Sequence, residues 1–243
     1  MESKKKNKNK LRKINSQRET AMTAMILAAG RGERMRPLTD KTPKPLIEVG
    51  GKALIVRHIE KLASLGFRDI VINIAYLGYM IPDFLGDGSK WGVNIKYSDE
   101  QKDGALESAG GITNALKLIN SNTFLVVNGD VLCDYEFDIE FKLFDDLAHL
   151  ILVENPKHNL NGDFGIKESR ATNNSDEKYT FSGIGYYKKE LFADLELKKA
   201  PLAPLLRNQI EKKSVGASLY LGKWHDVGTI ERLREAEVIL KEG

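Results

Sequence analysis

Short apolar runs that end in glycine or polar residues alternate with segments of helical periodicity from residue 22 onward. The strand-like runs are TAMILAA (23–29), DIVINIA (69–75), VNIKYSD (93–99) and TFLVVNGD (123–130). Helical spacing occurs in ALIVRHIEKLASLG (53–66) and SAGGITNALKLI (108–119). This alternation predicts an α/β fold of the Rossmann-like kind, an open, mixed, mostly parallel sheet with helices on both faces. Ligands of such sheets bind at the carboxyl ends of the strands.

The second half of the chain shows a less regular pattern. AHLILVEN (148–155) continues the sheet, and DFGI (163–166) with KYTFSGIGYY (178–187) indicates a β-hairpin region. Residues 201–213 and 229–242 are predicted helices, and residues 76–88 a short helix that Pro82 interrupts. Because no Pro/Gly/Ser-rich linker divides the sequence, we expect a single domain over residues 22–243 with a small substrate-facing lobe.

Charge is distributed unevenly along the 243 residues. The net charge is +3, but the first twenty residues alone carry +6, so the remainder is about −3. We therefore expect residues 1–21 to form a disordered basic tail and the folded body not to bind nucleic acid. The sequence contains no run of eighteen apolar residues, so we expect no membrane span. The single cysteine, Cys133, is typical of a reducing compartment, and we expect a cytoplasmic protein.

The segment LAAGRGERMRPLTDKTPKPL (27–46) follows the first predicted strand. It begins like a dinucleotide-binding loop, but Met35 replaces the third glycine and Pro37 prevents a helix from starting there. No Gly-Lys-Ser/Thr sequence follows at P-loop spacing either. What remains is a glycine turn followed by five cationic side chains, which suits a polyphosphate, although a solvated basic loop is the plain alternative.

This segment, with its Gly-x-Gly-x-Arg, Pro-x-Thr and Pro-Lys-Pro elements, resembles the signature of sugar-1-phosphate nucleotidyltransferases. These enzymes join a sugar 1-phosphate to a nucleoside triphosphate and release pyrophosphate. The resemblance implies that Arg34 binds the β- and γ-phosphates and that Lys44 bridges the sugar phosphate and the α-phosphate. It implies a nucleotide site formed by Leu27, Ala28, Ala29, Gly30, Gly32, Glu33, Arg34, Lys44, Glu100, Gln101, Ala105 and Ala109.

The sequence does not decide whether Glu100, Gln101 or backbone groups recognise the pyrimidine edge. It also contains no nucleophile beside a general base, and none is needed. A phosphate monoester has a second pKa of about 6, so it is already ionised near neutrality. We expect catalysis by positioning and charge neutralisation.

Two aspartates are candidate magnesium ligands. Asp130 follows FLVVNG at a strand end, and Asp226 lies in WHDVGT. Taken singly, each is more often a turn residue. The family resemblance implies that the two together bind Mg²⁺, which prefers carboxylates, phosphate oxygens and water. We expect His225 to be a packed or hydrogen-bonded histidine.

Several segments, including NGDFGI (161–166) and TFSGIGYY (180–187), resemble those of family members that use UTP and N-acetylmuramate 1-phosphate in peptidoglycan recycling. The resemblance implies that Asn128, Asp163 and Gly183 bind the sugar. A mannose or glucose 1-phosphate substrate is the alternative. A non-catalytic nucleotide-sugar sensor would be expected to lack the catalytic residues, which are present. The lactyl carboxylate of N-acetylmuramate requires a cationic partner, for which the candidates are Lys157, Lys167 and Arg207.

Overall fold

A computed structural model describes residues 21–100 and 104–242. The predicted basic tail therefore lies outside the described residues, apart from Ala21, and so does Gln101. No helix in the described part of the chain is long and apolar enough to cross a membrane.

The strands follow the order of the apolar runs in the sequence. In chain order they are β1 (Thr23–Leu27), β2 (Glu48–Val49), β3 (Lys52–Ala53), β4 (Asp69–Ile74), β5 (Asn94–Asp99), β6 (Thr123–Asn128), β7 (Val131–Cys133), β8 (Ala148–Val153), β9 (Gly165–Lys167), β10 (Arg170–Thr172), β11 (Thr180–Lys188), β12 (Val215–Tyr220) and β13 (Trp224–Asp226). Within the described residues, nine of them form one sheet in the order β5-β4-β1-β6-β11-β8-β12-β10-β9.

The main sheet is open and mixed, as predicted. Strands β5, β4, β1 and β6 are all parallel, whereas β11 is antiparallel to both β6 and β8. Beyond β8, strand β12 is parallel, and β10 and β9 form the antiparallel edge. Two small antiparallel pairs, β2 with β3 and β7 with β13, lie outside the main sheet.

Helices cover both faces of the sheet. They are α1 (Leu54–Ser64), α2 (Met80–Leu85), α3 (Glu107–Ala115), α4 (Leu202–Glu211) and α5 (Ile230–Glu242). Ala24 and Ile26 of β1 pack in the apolar cluster that contains α1, whereas Met25 packs in the cluster that contains α3 and α4. Neighbouring side chains of a strand point to opposite faces, so the continuous apolar run of β1 is buried on both faces of the sheet.

Two local features explain where helices begin and end. Gly66, with φ of +94°, follows α1, and the N–H of Phe67 donates to the carbonyl of Leu62 at 3.0 Å, so the helix stops where the sequence predicts. Pro82, in contrast, does not interrupt α2. It is the third residue of that helix, where a backbone N–H has no carbonyl to bond within the helix.

The register of the parallel strands aligns their carboxyl ends. Leu27 of β1 is paired with Asn73 of β4 on one side and with Asn128 of β6 on the other. Asn73 is in turn paired with Ser98 of β5. The segments that follow these strands therefore meet at one edge of the sheet, where the functional site is expected.

Candidate active site

A cleft of about 570 Å³ opens at this edge of the sheet, between the loop after β1 and the turn after β6. It brings together residues that are far apart in the sequence. The sequence-predicted residues that line it are Leu27, Ala28, Ala29, Gly30, Gly32, Glu33, Arg34, Lys44, Ala105, Asn128 and Asp130.

The glycine loop is shaped by one close approach. Gly32 has φ of +64°, and a side chain there would meet Thr39 Cγ2 at 2.8 Å. The Thr39 hydroxyl donates to the Gly32 carbonyl at 2.8 Å and closes the loop. Met35 is fully buried in an apolar cluster with Leu54 and other residues. Met35 stands where a dinucleotide-binding loop has its third glycine, and here its side chain anchors the loop to the core.

Lys44 and Asp130 form an ion pair inside the cleft. Lys44 begins a short 3₁₀ turn, Lys44–Leu46, and Asp130 follows β6. Their side chains are 14% and 28% exposed, so the pair is shielded from bulk water but open to a ligand.

Asp226 lies on β13, beside the strand that follows Asp130. The residue is paired with Val131 of β7, and the N–H of Val227 donates to the Asp130 carbonyl at 2.8 Å. The Asp226 carboxylate accepts two hydrogen bonds from Arg232 Nη1, at 2.6 and 2.7 Å. The pairing of β7 with β13 therefore brings Asp226 beside the turn that holds Asp130.

One histidine contacts the Asp226 carboxylate, and a second is bonded to the backbone of its partner Arg232. His158 Nε2 lies 3.2 Å from Asp226 Oδ1 and 2.7 Å from Arg232 Nη1. His225 Nε2 is 2.7 Å from the Arg232 carbonyl, which agrees with the prediction of a hydrogen-bonded histidine. In residues 21–100 and 104–242, no three His, Cys, Asp or Glu side chains converge as a metal site.

The donor chemistry of the two aspartates nevertheless suits magnesium. Asp130 and Asp226 offer carboxylate oxygens, the donors that Mg²⁺ prefers, and this ion normally completes its shell with phosphate oxygens and water. In the ligand-free protein each carboxylate is neutralised by a side-chain cation, Lys44 or Arg232. The two carboxylates that the β7–β13 pairing brings together therefore offer the kind of oxygen donors that a magnesium ion takes.

A buried hydrogen-bond relay connects the two walls of the cleft. The N–H of Ala28 donates to Asn73 Oδ1 at 2.7 Å, and Asn73 Nδ2 donates to Glu100 Oε1 at 2.8 Å. Glu100 Oε2 accepts from the N–H of Leu106 at 2.8 Å. The relay joins the loop after β1 to the segment before α3. A side chain at Gly111 would meet Glu100 Oε1 at 2.7 Å.

This relay corrects the nucleotide-contact role predicted for Glu100. Its side chain is 1% exposed, does not line the cleft, and has both oxygens bonded to protein donors. Burial also raises the pKa of the Glu100 carboxyl above its ordinary value. Ala109 is likewise buried, and its N–H donates to the Ala200 carbonyl at 3.0 Å. Both residues are buried behind this side of the cleft.

The three residues predicted to bind the sugar occupy different positions. Asn128 lines the cleft. Gly183, with φ of +79°, packs against Asn128. A side chain at position 183 would meet Asn128 Nδ2 at 2.5 Å. Asp163 is not among the cleft-lining residues, and its Oδ2 accepts from the N–H of Phe181 at 2.8 Å. Asn159 Nδ2 lies 3.3 Å from the same oxygen.

A buried histidine supports the turn that carries Asp130. His58 of α1 is 4% exposed and makes a hydrogen bond to the backbone of Gly129. Burial lowers the pKa of His58 from 6.5 to about 4, so the imidazole is neutral at pH 7. Its Nε2 has no hydrogen-bond partner among the described residues.

Sequence reasoning missed several residues of the site region, among them Asn73, His158, Lys199 and Arg232. Lys199 lines the cleft and lies 3.5 Å from Glu107, but it comes from the loop before α4, and only the tertiary fold brings it there. Arg232 is one charged residue of an amphipathic helix, so it gave no local signal. Asn73 did give one, because a polar residue inside the apolar run DIVINIA has to find a buried partner.

The sequence is similar to known transferases over most of its length. The nucleotidyl transferase family model matches residues 23–243. N-acetylmuramate alpha-1-phosphate uridylyltransferase from Neisseria meningitidis is 52% identical over 227 residues, which cover 90% of this chain and 98% of that protein. Mannose-1-phosphate guanyltransferase from Gibberella zeae is 38% identical over 120 residues, which cover 48% of this chain and 32% of that protein.

Solved structures show the same fold. The inositol-1-phosphate CTP transferase from T. maritima superposes with a TM-score of 0.73 at 19% identity, covering 93% of this chain and 98% of that one. HddC from Yersinia pseudotuberculosis gives a TM-score of 0.73 at 24% identity, covering 90% and 99%. The family model spans almost the whole described fold, including the cleft and both aspartates. The chain therefore belongs to the nucleotidyl transferase family.

Proposed function

We propose that the protein transfers a uridylyl group from UTP to N-acetylmuramate 1-phosphate, giving UDP-N-acetylmuramate and pyrophosphate. The observation that carries this proposal is the 52% identity over 90% of the chain to the Neisseria enzyme of that name. A cytoplasmic role in reusing peptidoglycan sugars is consistent with these substrates.

The cleft supplies the charges that such a transfer requires. An oxygen of the sugar phosphate attacks the α-phosphorus of UTP, and the bond from that phosphorus to the pyrophosphate oxygen breaks. Arg34, in the glycine loop, would neutralise the departing pyrophosphate. Lys44, deeper in the cleft, is placed to bind the α-phosphate and the attacking phosphate together. Cations that stabilise charge in the transition state are the main source of catalysis in such reactions.

Asp130 and Asp226 would hold the magnesium ion. When bound, Mg²⁺ neutralises phosphate charge and helps to orient the reacting oxygens. Among the described residues of the cleft, no side chain is paired as nucleophile and base, and the ionised sugar phosphate does not need one.

Another sugar 1-phosphate, such as that of mannose or glucose, is the alternative acceptor. Its support is the 38% identity to the Gibberella guanyltransferase, which extends over 48% of this chain. The Neisseria relative matches nearly twice that length at higher identity, so N-acetylmuramate 1-phosphate is preferred.

A pyrophosphate-release assay tests the proposal. With Mg²⁺ present, each of the four nucleoside triphosphates is offered with each of several sugar 1-phosphates. We expect the highest rate with UTP and N-acetylmuramate 1-phosphate. Asp130→Asn should lower that rate at least 100-fold, whereas Asp69→Asn, at the opposite end of the sheet, should not. A higher rate with GTP and mannose 1-phosphate would overturn the substrate assignment.

A further inference from the structure

A second cavity, of about 850 Å³, adjoins the cleft. Arg34 lines both spaces, and Asp226 lines the second one beside the strand that follows Asp130. The cavity extends between the loop after β8 and helix α5. The two spaces therefore share Arg34 as part of their walls.

The walls of the second cavity adjoin the predicted sugar residues. Trp224 lines it, and its indole N–H donates to the Ser182 carbonyl at 3.0 Å, one residue before Gly183. The loop after β8 forms the facing wall through Pro156, Lys157 and His158. An acceptor sugar bonded to its phosphate beside Asp226 would extend into this space.

Two neighbouring cationic or protonatable side chains line this wall. His158 is 41% exposed and is already in contact with Asp226 and Arg232. Lys157 is exposed and, within the described residues, has no ion-pair or hydrogen-bond partner. Arg232 also lines the cavity but is 10% exposed and bonded to Asp226. Apart from Arg34, which also lines the cleft, Lys157 is therefore the cavity cation without a partner among the described residues. The carboxylates of Glu154, Glu231 and Glu235 also line the cavity.

The other two cations suggested by the sequence are placed elsewhere. Lys167 lies on β9, at the edge of the sheet, and is exposed. Arg207 packs over the Phe164 ring at 4.9 Å and lies within 3.3 Å of both Asn173 Oδ1 and the Asp163 carbonyl. Neither of these two residues lines the second cavity.

We propose that the second cavity is a subsite for the acidic side chain of the acceptor sugar, with Lys157 as the partner of its carboxylate and His158 beside it. This inference rests on the proposed function, because it requires an acceptor that carries a lactyl carboxylate. In this proposal, the Lys157–His158 loop makes the enzyme favour the acceptor with the lactyl group over the same sugar without that group.

The test compares two acceptors that differ only in the lactyl group, N-acetylmuramate 1-phosphate and N-acetylglucosamine 1-phosphate. Lys157→Ala should raise the KM for the first about tenfold, the loss of roughly one charge-assisted hydrogen bond, and leave the KM for the second within twofold. Lys157→Glu should raise the first KM further, because it adds repulsion. Lys167→Ala is the matched control and should change neither.

Equilibrium binding of the products separates this inference from the proposed reaction. Lys157→Ala should weaken binding of UDP-N-acetylmuramate about tenfold and leave that of UDP-N-acetylglucosamine unchanged, whether or not turnover is observed. Lys157→Ala could change product binding as described while the wild type forms no UDP-N-acetylmuramate. In that case only the proposed reaction would be wrong. Equal changes for both ligands, or no change in either Lys157 variant, would overturn the subsite.

Discussion

At the scale of single residues, the site depends on cations that are held close to carboxylates. Lys44 pairs with Asp130, and Arg232 pairs with Asp226, so each of these two carboxylates has a cationic partner. Substrate phosphates bring several negative charges into a cleft with Lys44 and Arg34 already in place. Such preorganised charges cost little reorganisation when the transition state forms.

Removing either cleft cation should slow turnover far more than removing a neighbouring cation of the same loop. Arg34→Ala and Lys44→Ala should each lower kcat/KM about 100- to 1,000-fold. Arg36 is 56% exposed and pairs with Asp40 at 3.2 Å outside the cleft, so Arg36→Ala should cost less than threefold. Steady-state pyrophosphate release measures all three variants, and equal losses in Arg34→Ala and Arg36→Ala would contradict the assignment.

His58 should make stability depend on pH. Its folded pKa, about 4, is below the ordinary 6.5, so between these values the unfolded chain binds the extra proton. The stabilisation is complete above pH 6.5 and is lost as the pH falls towards 4. When the pH is lowered from 7 to 4.5, the unfolding free energy of both proteins should fall. The fall should be about 2–3 kcal/mol smaller in His58→Gln than in the wild type. Urea unfolding at the two pH values measures this, and parallel losses would refute it.

At the scale of elements, the cleft depends on how the ends of β1, β4 and β5 are joined. The sequence predicted these strands and the edge at which they end, because apolar runs and glycine turns are local signals. It did not predict that Asn73 and Glu100 would bond to each other. That contact requires the register of β4 against β5, which is a tertiary property.

The same limit explains the errors at particular residues. Pro82 was expected to interrupt a helix, but the position of the helix start decides whether a proline is tolerated, and that start is not marked by a capping side chain. Glu100 was a reasonable nucleotide contact by its position after β5, yet burial and two hydrogen bonds turn it inward. The glycine loop and Asp130, by contrast, directly follow recognisable strands and could be placed from sequence alone.

Breaking the relay between the cleft walls should weaken nucleotide binding. Asn73→Ala leaves the Ala28 N–H and Glu100 Oε1 without their partner, which should cost about 1–3 kcal/mol of stability and raise the KM for UTP several-fold. Asn94 makes a comparable hydrogen bond to Asp69 at 3.0 Å on the exposed surface, so Asn94→Ala is the matched control. An unchanged KM for UTP in Asn73→Ala would show that the relay does not position the nucleotide wall.

At the scale of the whole molecule, one sheet supports both a nucleotide cleft and an adjoining cavity. The all-parallel strands carry the glycine loop and Asp130, while β11, β13 and α5 bring Gly183, Asp226 and Arg232 against them. The first half of the chain thus carries the glycine loop, and the second half brings the proposed acceptor residues against it.

Removing metal should abolish turnover without unfolding the protein. The two candidate ligands already have side-chain cations as partners, so the fold does not require a metal ion to balance their charge. With excess EDTA we expect pyrophosphate release to fall below detection and to return with added Mg²⁺, while Tm changes by less than about 2 °C. A large loss of Tm in EDTA would show that a metal is structural.

The most direct test of the central claim is product analysis under competition. The enzyme is given UTP, GTP, CTP and ATP together with equal amounts of N-acetylmuramate, N-acetylglucosamine, glucose and mannose 1-phosphates, and the early products are identified by mass spectrometry. We predict that UDP-N-acetylmuramate is the main nucleotide sugar and that the Lys44→Ala enzyme forms almost none. A main product with another base or another sugar would contradict the account.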